Sequence, residues 1–421
     1  MILANGHLLP DDQLPQVLSR LEGELLSVLA CPPLEPEAAM GAAPALLERL
    51  DSGELAPLLA QYASPQLMES IAQYRQLLTP ESLGYKLKAE TGGLIPETDR
   101  PFGRSTVLPL GVLLHITAGN LDGLPAFSAV EGLLTGNINL VKLPSGDTGL
   151  SLALLKLLAD TEPRLAPYLY VFPIPSRDQA SLQALARLAD GIVTWGGEDT
   201  VRAVRALAPP GCRLIEWGHR LSFAYLSGPA GEEALAGLAE HIIRTAGLLC
   251  SSCQVIYLDA DRMEALEEFA HTFLPILERA ARGGRRSAGQ TALSTLHGWE
   301  HLLERAADGS PGQVLRGRGC SVTLCPDRDL ELSPLYGNVL VKCLPRREII
   351  SVLGRQRGRL QTAGLLCPPS DWEELSSLLA RAGVTRVTPP GGMSDPLLGE
   401  GHDGEYPLRR YLRVVDLVYP S

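Results

Sequence analysis

The sequence predicts an α/β protein built on a parallel sheet covered on both faces. Three observations carry this. The 421 residues have 45% hydrophobic content and a formal charge of -11, an ordinary globular composition long enough for about two or three domains. From about residue 105, apolar strand-like runs alternate strictly with helical stretches. The polar and glycine residues fall at the ends of the runs: Gly119-Asn120, Lys142-Leu143-Pro144-Ser145, Gly196-Gly197 and Glu216-Trp217-Gly218. In such sheets ligands bind outside the carboxyl ends of the strands.

The elements follow in order. Residues 11–90 are Leu-rich at helical spacing and punctuated by Pro32, Pro33 and Pro36, which predicts a helical N-terminal region. "STVLPLGVLLHITAGN" reads as a strand reaching a Gly-Asn turn, and "LPAFSAVEGLLTGN" as a helix ended by Gly136. "INLVKLPS", "LYVFPIP", "GIVTWGG", "CRLIEWG" and "LSFAYLSG" read as strands, with helices at "DTGLSLALLKLLAD", "RDQASLQALARLA" and "EDTVRAVRALA". A second unit is expected from about residue 230: the helix "EEALAGLAEHIIRTAG", a cysteine loop, the strand "CQVIYLD", and a helix from "DRMEALEEF" that Asp259 or Asp261 can cap. "GCSVTLCP", "NVLVKCLP" and "VTRVTPP" read as later strands, with a helix from about 346. The tail "PLRRYLRVVDLVY" reads as a strand that pairs with something distant.

The acidic balance argues against a nucleic-acid partner, because phosphate neutralisation needs clustered Lys and Arg. The one basic run, Arg282 to Arg286, is expected on a solvated helix end or loop. No run approaches the roughly 18 apolar residues of a membrane span. No signal peptide is read, so the eight cysteines are expected to be cytosolic thiols, and the protein cytoplasmic.

In "AGLLCSSCQVIY" two of those thiols, Cys250 and Cys253, share one short loop. Three readings compete. They are packing, half of a metal or redox site, or a nucleophilic thiolate beside a bystander. A zinc site would recruit Cys320 and Cys325, which straddle a single strand. His297 and His301 stand four apart in "HGWEH", which lacks the glutamate directly after the first histidine of an H-E-x-x-H zinc helix, and a surface helix pair is the simpler reading. A G-x-G-x-x-G fingerprint after a strand is absent.

The segments "PLGVLLHITAGNLDGLPAFSAVEGLLTGNINLVKLPS", "VTWGGEDTVRAVR", "EWGHRLSFAYL", "CSSCQ", "LYGNVLVK", "LQTAG" and "GEGHDGEYPLRRYLRVVDL" resemble, in order, the aldehyde dehydrogenase superfamily. The chain most resembles its acyl-CoA reductase branch, the LuxC-type fatty acyl reductases, over about residues 105–416. The resemblance implies an aldehyde dehydrogenase-like fold: a Rossmann-type NADP-binding domain at 91–229 and an α/β catalytic domain at 230–395. The helical residues 1–90 would pack on the cofactor domain, and 396–421 would be a return segment with an oligomerisation strand.

It also implies roles. Cys250 aligns with the nucleophile, and a thiolate suits acyl exchange with a thioester. Cys253 is then the bystander. Glu216 aligns with the general base of hydrolytic relatives, here followed by Gly218-His219 rather than Gly-Gly. Asn120 matches the side-chain donor of the oxyanion hole. Thr117, Lys142, Ser145, Gly196, Gly197 and Gly218 fall at cofactor positions. Ser145 replaces a glutamate common in NAD-dependent relatives, and Lys142 can pair with a 2′-phosphate, so NADPH is implied. Gly196 and Gly197 would bring a helix N-terminus to the pyrophosphate. The glutamate that holds the nicotinamide ribose in the family is replaced here by Ser333-Pro334 before Tyr336-Gly337. His402-Asp403-Gly404 matches the C-terminal signature, with no chemical step assigned to it. The implied activity is NADPH-dependent reduction of an acyl-CoA or acyl-carrier thioester to an aldehyde, with a homo-oligomer and an acyl-transferring enzyme as partners. The alternatives are an aldehyde dehydrogenase that makes acid, or a non-catalytic acyl-binding subunit.

Overall fold

The computed structural model describes residues 1–54, 56–57, 75, 77–92, 103–117, 123–147, 149–283, 288–309, 313–397 and 399–418. The chain divides into two units, residues 1–218 with 396–421, and residues 219–395.

The first unit opens with a hairpin rather than a helix. β1 (Ile2–Ala4) and β2 (His7–Leu9) pair antiparallel around Asn5-Gly6. Both turn residues have positive φ (48° and 79°), the geometry for which Asn-Gly is favoured. The helical reading of the N-terminal region therefore begins only after residue 10. Helices Leu14–Leu29, Pro36–Asp51 and Pro80–Thr91 follow, and Val17, Leu21 and Leu25 bury one face of the first. After β3 (Gly103–Pro109), five strands form a parallel core: β4 (Val112–Ile116), β5 (Ile138–Lys142), β6 (Leu169–Phe172), β7 (Gly191–Trp195) and β8 (Arg213–Trp217). The full order is β2-β1-β6-β5-β4-β7-β8. The chain moves outward from β4 to β6, then crosses to β7 on the other side of β4. That reversal leaves a crevice at the carboxyl end of β4, the binding place of Rossmann-type sheets.

The second unit begins earlier than its sequence suggests. β9 (Leu221–Leu226) lies between β10 (Cys253–Leu258) and β14 (Leu360–Leu366), so the break falls at 218/219 instead of near 230. An apolar run announces a strand but not its sheet. β11 (Gln313–Gly317), β12 (Cys320–Cys325), β13 (Asn338–Cys343) and β15 (Arg386–Thr388) complete the order β11-β12-β13-β10-β9-β14-β15. All pairs are parallel except the edge pair β11/β12. Helices Glu232–Thr245, Met263–Gly283 and Trp372–Ala382 bury Leu238, Phe273 and Leu379 against the sheet's two apolar layers. Asp259 and Asp261, expected as caps, engage Arg346 and Arg347. Arg282 lies in the last turn of the helix Met263–Gly283 and pairs with Glu278, while residues 284–286 of the basic run lie outside the described residues.

The chain's last strand, β16 (Leu412–Val418), returns to the first unit and pairs antiparallel with β3 over seven residues. Val414 and Val418 stay exposed on this two-stranded sheet.

Candidate active site

In the first unit, Thr117 directly follows β4, Lys142 ends β5, and Gly196-Gly197 follow β7. Ile116 is in register with both Lys142 and Thr194, and Thr194 with Glu216, so the structure brings these strand ends side by side. The Thr117 and Thr194 hydroxyls are buried without a hydrogen-bond partner among the described residues, which is costly unless a ligand or water satisfies them. Lys142 is 4% exposed, and the one partner of its ammonium among the described residues is the Ser176 hydroxyl at 3.1 Å. Burial lowers its pKa from the ordinary lysine value. A buried ammonium without a carboxylate suits an anionic or polyhydroxyl ligand. Ser145, three residues on, is exposed. These residues therefore fit a dinucleotide.

The glycine pair fits less completely. A Cβ on Gly197 would meet nothing within 4 Å, so that face is open. The helix that starts there, Glu198–Leu207, carries Glu198 and Asp199 in its first turn. Its positive end is thus already met by carboxylates, which oppose a diphosphate. Gly218 is likewise open on its Cβ side.

Glu216 is committed elsewhere. Arg205 donates from Nε and a terminal nitrogen to its two carboxylate oxygens, both at 2.7 Å. In that bidentate pair each oxygen accepts one hydrogen bond from the guanidinium, on a partly exposed surface. The sequence did not single out Arg205, because nothing in an eleven-residue separation between a helix and a strand announces a pair. Next to this strand end, the ring of His402 packs on Trp195 (5.0 Å) and Trp217 (4.9 Å). Trp195 donates to the Ser128 hydroxyl, which is 2.7 Å from His115 Nδ1, and His115 Nε2 is 2.9 Å from Asn139 Oδ1. Burial pushes the His115 pKa down to about 4. Asn120 lies outside the described residues.

In the second unit the two cysteines have different environments. Cys250 and Ser251 are the central residues of a β-turn. Ser252 N–H donates to the Leu249 carbonyl at 3.0 Å, and Leu249 N–H donates back to the Ser252 hydroxyl at 2.9 Å. The Ser251 hydroxyl meets that of Ser394 at 2.7 Å. Cys250 is partly exposed on this turn. Cys253 is buried as the first residue of β10, and burial pushes its thiol up to about 12. Its N–H donates to His241 Nε2 at 3.3 Å. His241, 1% exposed, is pushed down to about 4 by burial and then by the nearby Arg244. A thiol so far above neutrality is not a nucleophile. The geometry therefore separates one addressable thiol from one inert thiol.

All eight cysteines are thiols. The four-cysteine zinc grouping is not formed: Cys320 and Cys325 stand at opposite ends of β12, and Cys253 is the first residue of β10. Among the described residues the one ligand-spaced group is Cys325, Asp327 and Glu331. Its carboxylates hold the ammonium of the fully buried Lys342, and Arg305 adds a second cation. His297, on the helix Ala288–Ala307, stacks on Tyr336 at 5.3 Å. Tyr336 lies in a left-handed run with Leu335 and Gly337 (φ 51°, 61° and 89°) where the ribose-binding glutamate was missing. Its N–H donates to the Ala246 carbonyl at 2.8 Å.

Residues 54–414 match the family described as acyl-CoA reductase (LuxC). The chain belongs to this family. Among curated relatives, the long-chain acyl-protein thioester reductase of Aliivibrio fischeri is 26% identical over 321 residues, covering 73% of this chain and 64% of that protein. The long-chain acyl-protein thioester reductase of Photorhabdus laumondii is 30% identical over 331 residues, 74% of this chain and 65% of that protein. The chain thus spans slightly less than two thirds of the length of these LuxC relatives. Among solved structures, lactaldehyde dehydrogenase from Escherichia coli superposes with a TM-score of 0.70 at 16% identity, covering 98% of this chain and 92% of that one. A 3,6-anhydro-L-galactose dehydrogenase gives 0.72 at 18%, covering 99% and 98%. Glyceraldehyde-3-phosphate dehydrogenase GapN from Methanocaldococcus jannaschii, complexed with NADP, gives 0.67 at 14%, covering 97% and 94%. These neighbours establish the aldehyde dehydrogenase-like fold of this LuxC-family chain. No described helix is long and apolar enough to cross a membrane.

Proposed function

We propose that this chain reduces a long-chain acyl thioester to the aldehyde through an acyl group carried on Cys250, with NADPH as reductant. The observation that carries the reading is the turn at Cys250: one partly exposed thiol beside a buried thiol held near 12. Family membership and the names of the relatives support the substrate class.

The Cys250 thiolate attacks the thioester carbonyl. A sulfur–carbon bond forms, the oxyanion collapses, and the donor thiol leaves with a proton. Asn120 and the Cys250 N–H are the assigned donors to the oxyanion, each worth about 2.7–4 kcal/mol in comparable sites. NADPH, when bound, supplies the hydride that reduces the acyl group, after which the aldehyde departs and the thiolate is restored. Thr117, Lys142 and Ser145 hold the nucleotide, and Lys142 with uncharged Ser145 favours a 2′-phosphate. Gly197 and Gly218 leave the backbone open beside it, and Gly196 is the assigned residue whose Cβ position is filled by the Thr200 side chain.

Glu216 is not assigned as the base. Its carboxylate is engaged by Arg205, which supports the reductive reading over the hydrolytic one. A reductase must keep its acyl group from water until hydride arrives. The exposed valines of β16 support strand-mediated homo-oligomerisation. The acyl donor is CoA or a carrier protein.

The test is NADPH oxidation against acyl-CoAs of increasing chain length, with products identified. Aldehyde in proportion to NADPH consumed is expected. Acid formed from added aldehyde, with no aldehyde formed from any acyl-CoA, would replace this reading with the dehydrogenase.

A further inference from the structure

Three strands meet irregularly beside the Cys250 turn. β9 lies between β10 and β14, and both neighbours slip register at the same residue. On one side Cys253 pairs with Ser222 and Val255 with Phe223, so Gln254 is extra. On the other, Leu360 pairs with Leu221 and Ala363 with Phe223, so Gln361 and Thr362 face Ser222 alone. Bulges of this kind interrupt the ladder and leave backbone groups in need of partners.

The Ser222 side chain supplies them. Its hydroxyl is fully buried and accepts from Thr362 N–H at 3.0 Å. The same hydroxyl donates to the Cys250 carbonyl at 2.6 Å. A hydroxyl has one proton, and since Thr362 N–H is itself a donor, that proton goes to Cys250. The Leu249–Ser252 hydrogen bonds close the turn around it, and the paired Ser251 and Ser394 hydroxyls hold its second residue. The peptide between Cys250 and Ser251 is therefore tied to the sheet by the Ser222 side chain on the neighbouring strand.

We propose that Ser222 is a positioning residue for the nucleophile, bridging the bulged β14 to the Cys250 carbonyl so that the Cys250 backbone is set before substrate arrives. The inference rests on the reading of Cys250 as the acyl-accepting thiol. It adds a residue that touches neither substrate nor cofactor and acts through the backbone of the one that does. Small displacements of a reacting group cost roughly a hundredfold in rate.

The test uses the full chain with Ser222→Ala and Ser222→Thr, the latter keeping the hydroxyl. Hydrogen exchange of the 249–253 amides reads the positioning itself. The rate of acylation by octanoyl- and hexadecanoyl-CoA, read by intact mass, gives its consequence. Ser222→Ala is expected to speed exchange in this segment about tenfold or more, with the other strands of the unit unchanged. It should also slow acylation at saturating acyl-CoA roughly 10- to 100-fold, with the half-saturating concentration within about twofold of wild type. Ser222→Thr should recover most of both. If Ser222→Ala does not fold, Ser222→Cys, which keeps a weak donor, is read against the same values. Unchanged exchange and acylation in the hydroxyl-less variant would overturn the proposal, as would an equal loss in Ser222→Thr. A wild-type protein that takes no acyl group overturns the thioester reading alone, because the exchange arm still reads Ser222.

Discussion

In the first unit the residues assigned to the nucleotide stand at the carboxyl ends of β4, β5 and β7; in the second, Cys250 stands before the amino end of β10. The carboxyl ends of the second sheet are closed instead. There Arg346 reaches Asp259 and Asp371 at 2.8 Å, Glu374 at 3.2 Å and the Ser227 hydroxyl at 2.9 Å. One guanidinium thus gathers three carboxylates and a hydroxyl, so each of these polar groups already has a partner. At the first sheet's carboxyl ends the balance is opposite: two orphaned threonine hydroxyls and an ammonium without a carboxylate. The first sheet's carboxyl ends thus suit the rule that ligands bind there, while in the other sheet the bulged amino ends flank the candidate thiol. What marks a site in both is backbone or side-chain hydrogen bonding that the regular ladder does not complete.

The sharpest way to break this comparison is at the two thiols. Cys250→Ala should abolish acyl-enzyme formation, since no other described thiol combines partial exposure with this turn. Cys253→Ser should keep acylation within a few fold, while costing about 1–3 kcal/mol in denaturant unfolding because a hydroxyl is placed where the thiol is buried. An inactive Cys253→Ser beside an active Cys250→Ala would reassign the nucleophile.

Each unit also buries one histidine, His115 in β4 and His241 beneath the Cys250 turn, both with pKa about 4. The folded protein keeps them neutral, and the unfolded chain takes up a proton on each below about pH 6.5. Stability should therefore be fully present above pH 6.5 and fall as pH drops toward 4. Each histidine contributes a slope approaching about 1.4 kcal/mol per pH unit, or about 3 kcal/mol over the window. Denaturant titrations at stepped pH check this, and His241→Asn should remove one histidine's share of the slope. A flat profile would contradict the buried, neutral assignment.

A smaller effect sharpens the first sheet. Ser145→Glu should shift the kcat/KM ratio of NADPH to NADH by roughly 10- to 100-fold toward NADH, by placing a carboxylate against the 2′-phosphate. Equal wild-type use of both cofactors would remove the basis of that assignment. Smaller still, Arg205→Ala releases both oxygens of Glu216, and the acid formed per aldehyde should rise a few fold. An unchanged ratio would show that the pair does not restrain hydrolysis.

Most strands of the two sheets were legible because long apolar runs have few alternatives in an α/β chain, whereas β1, β2, β11 and β14 were not read as strands. The loop cysteines, the Lys142 strand end and the tail strand β16 were legible for the same reason: each interrupts or extends such a run. The hairpin at Asn5-Gly6 had its signal in the turn dipeptide, but strands of three residues carry too little pattern beside a Leu-rich helix. β9 was legible as a strand and not as a member of the second sheet, because pairing depends on residues over a hundred positions away, such as Ala363 against Phe223. Arg205 and Ser222 were invisible for a related reason. A charged helix residue and a serine in an apolar run are common, and only the fold places them on Glu216 and Cys250.

The central claim is that Cys250 carries the acyl group and holds it for reduction. Intact-mass spectrometry of the protein mixed with a long-chain acyl-CoA, without NADPH, tests it most directly. One added acyl group is expected, mapping to Cys250 after digestion and persisting for many turnover times. It should disappear on adding NADPH, with an equivalent of aldehyde released. An adduct on another residue, or one lost as free acid with no aldehyde when NADPH is supplied, would contradict the account.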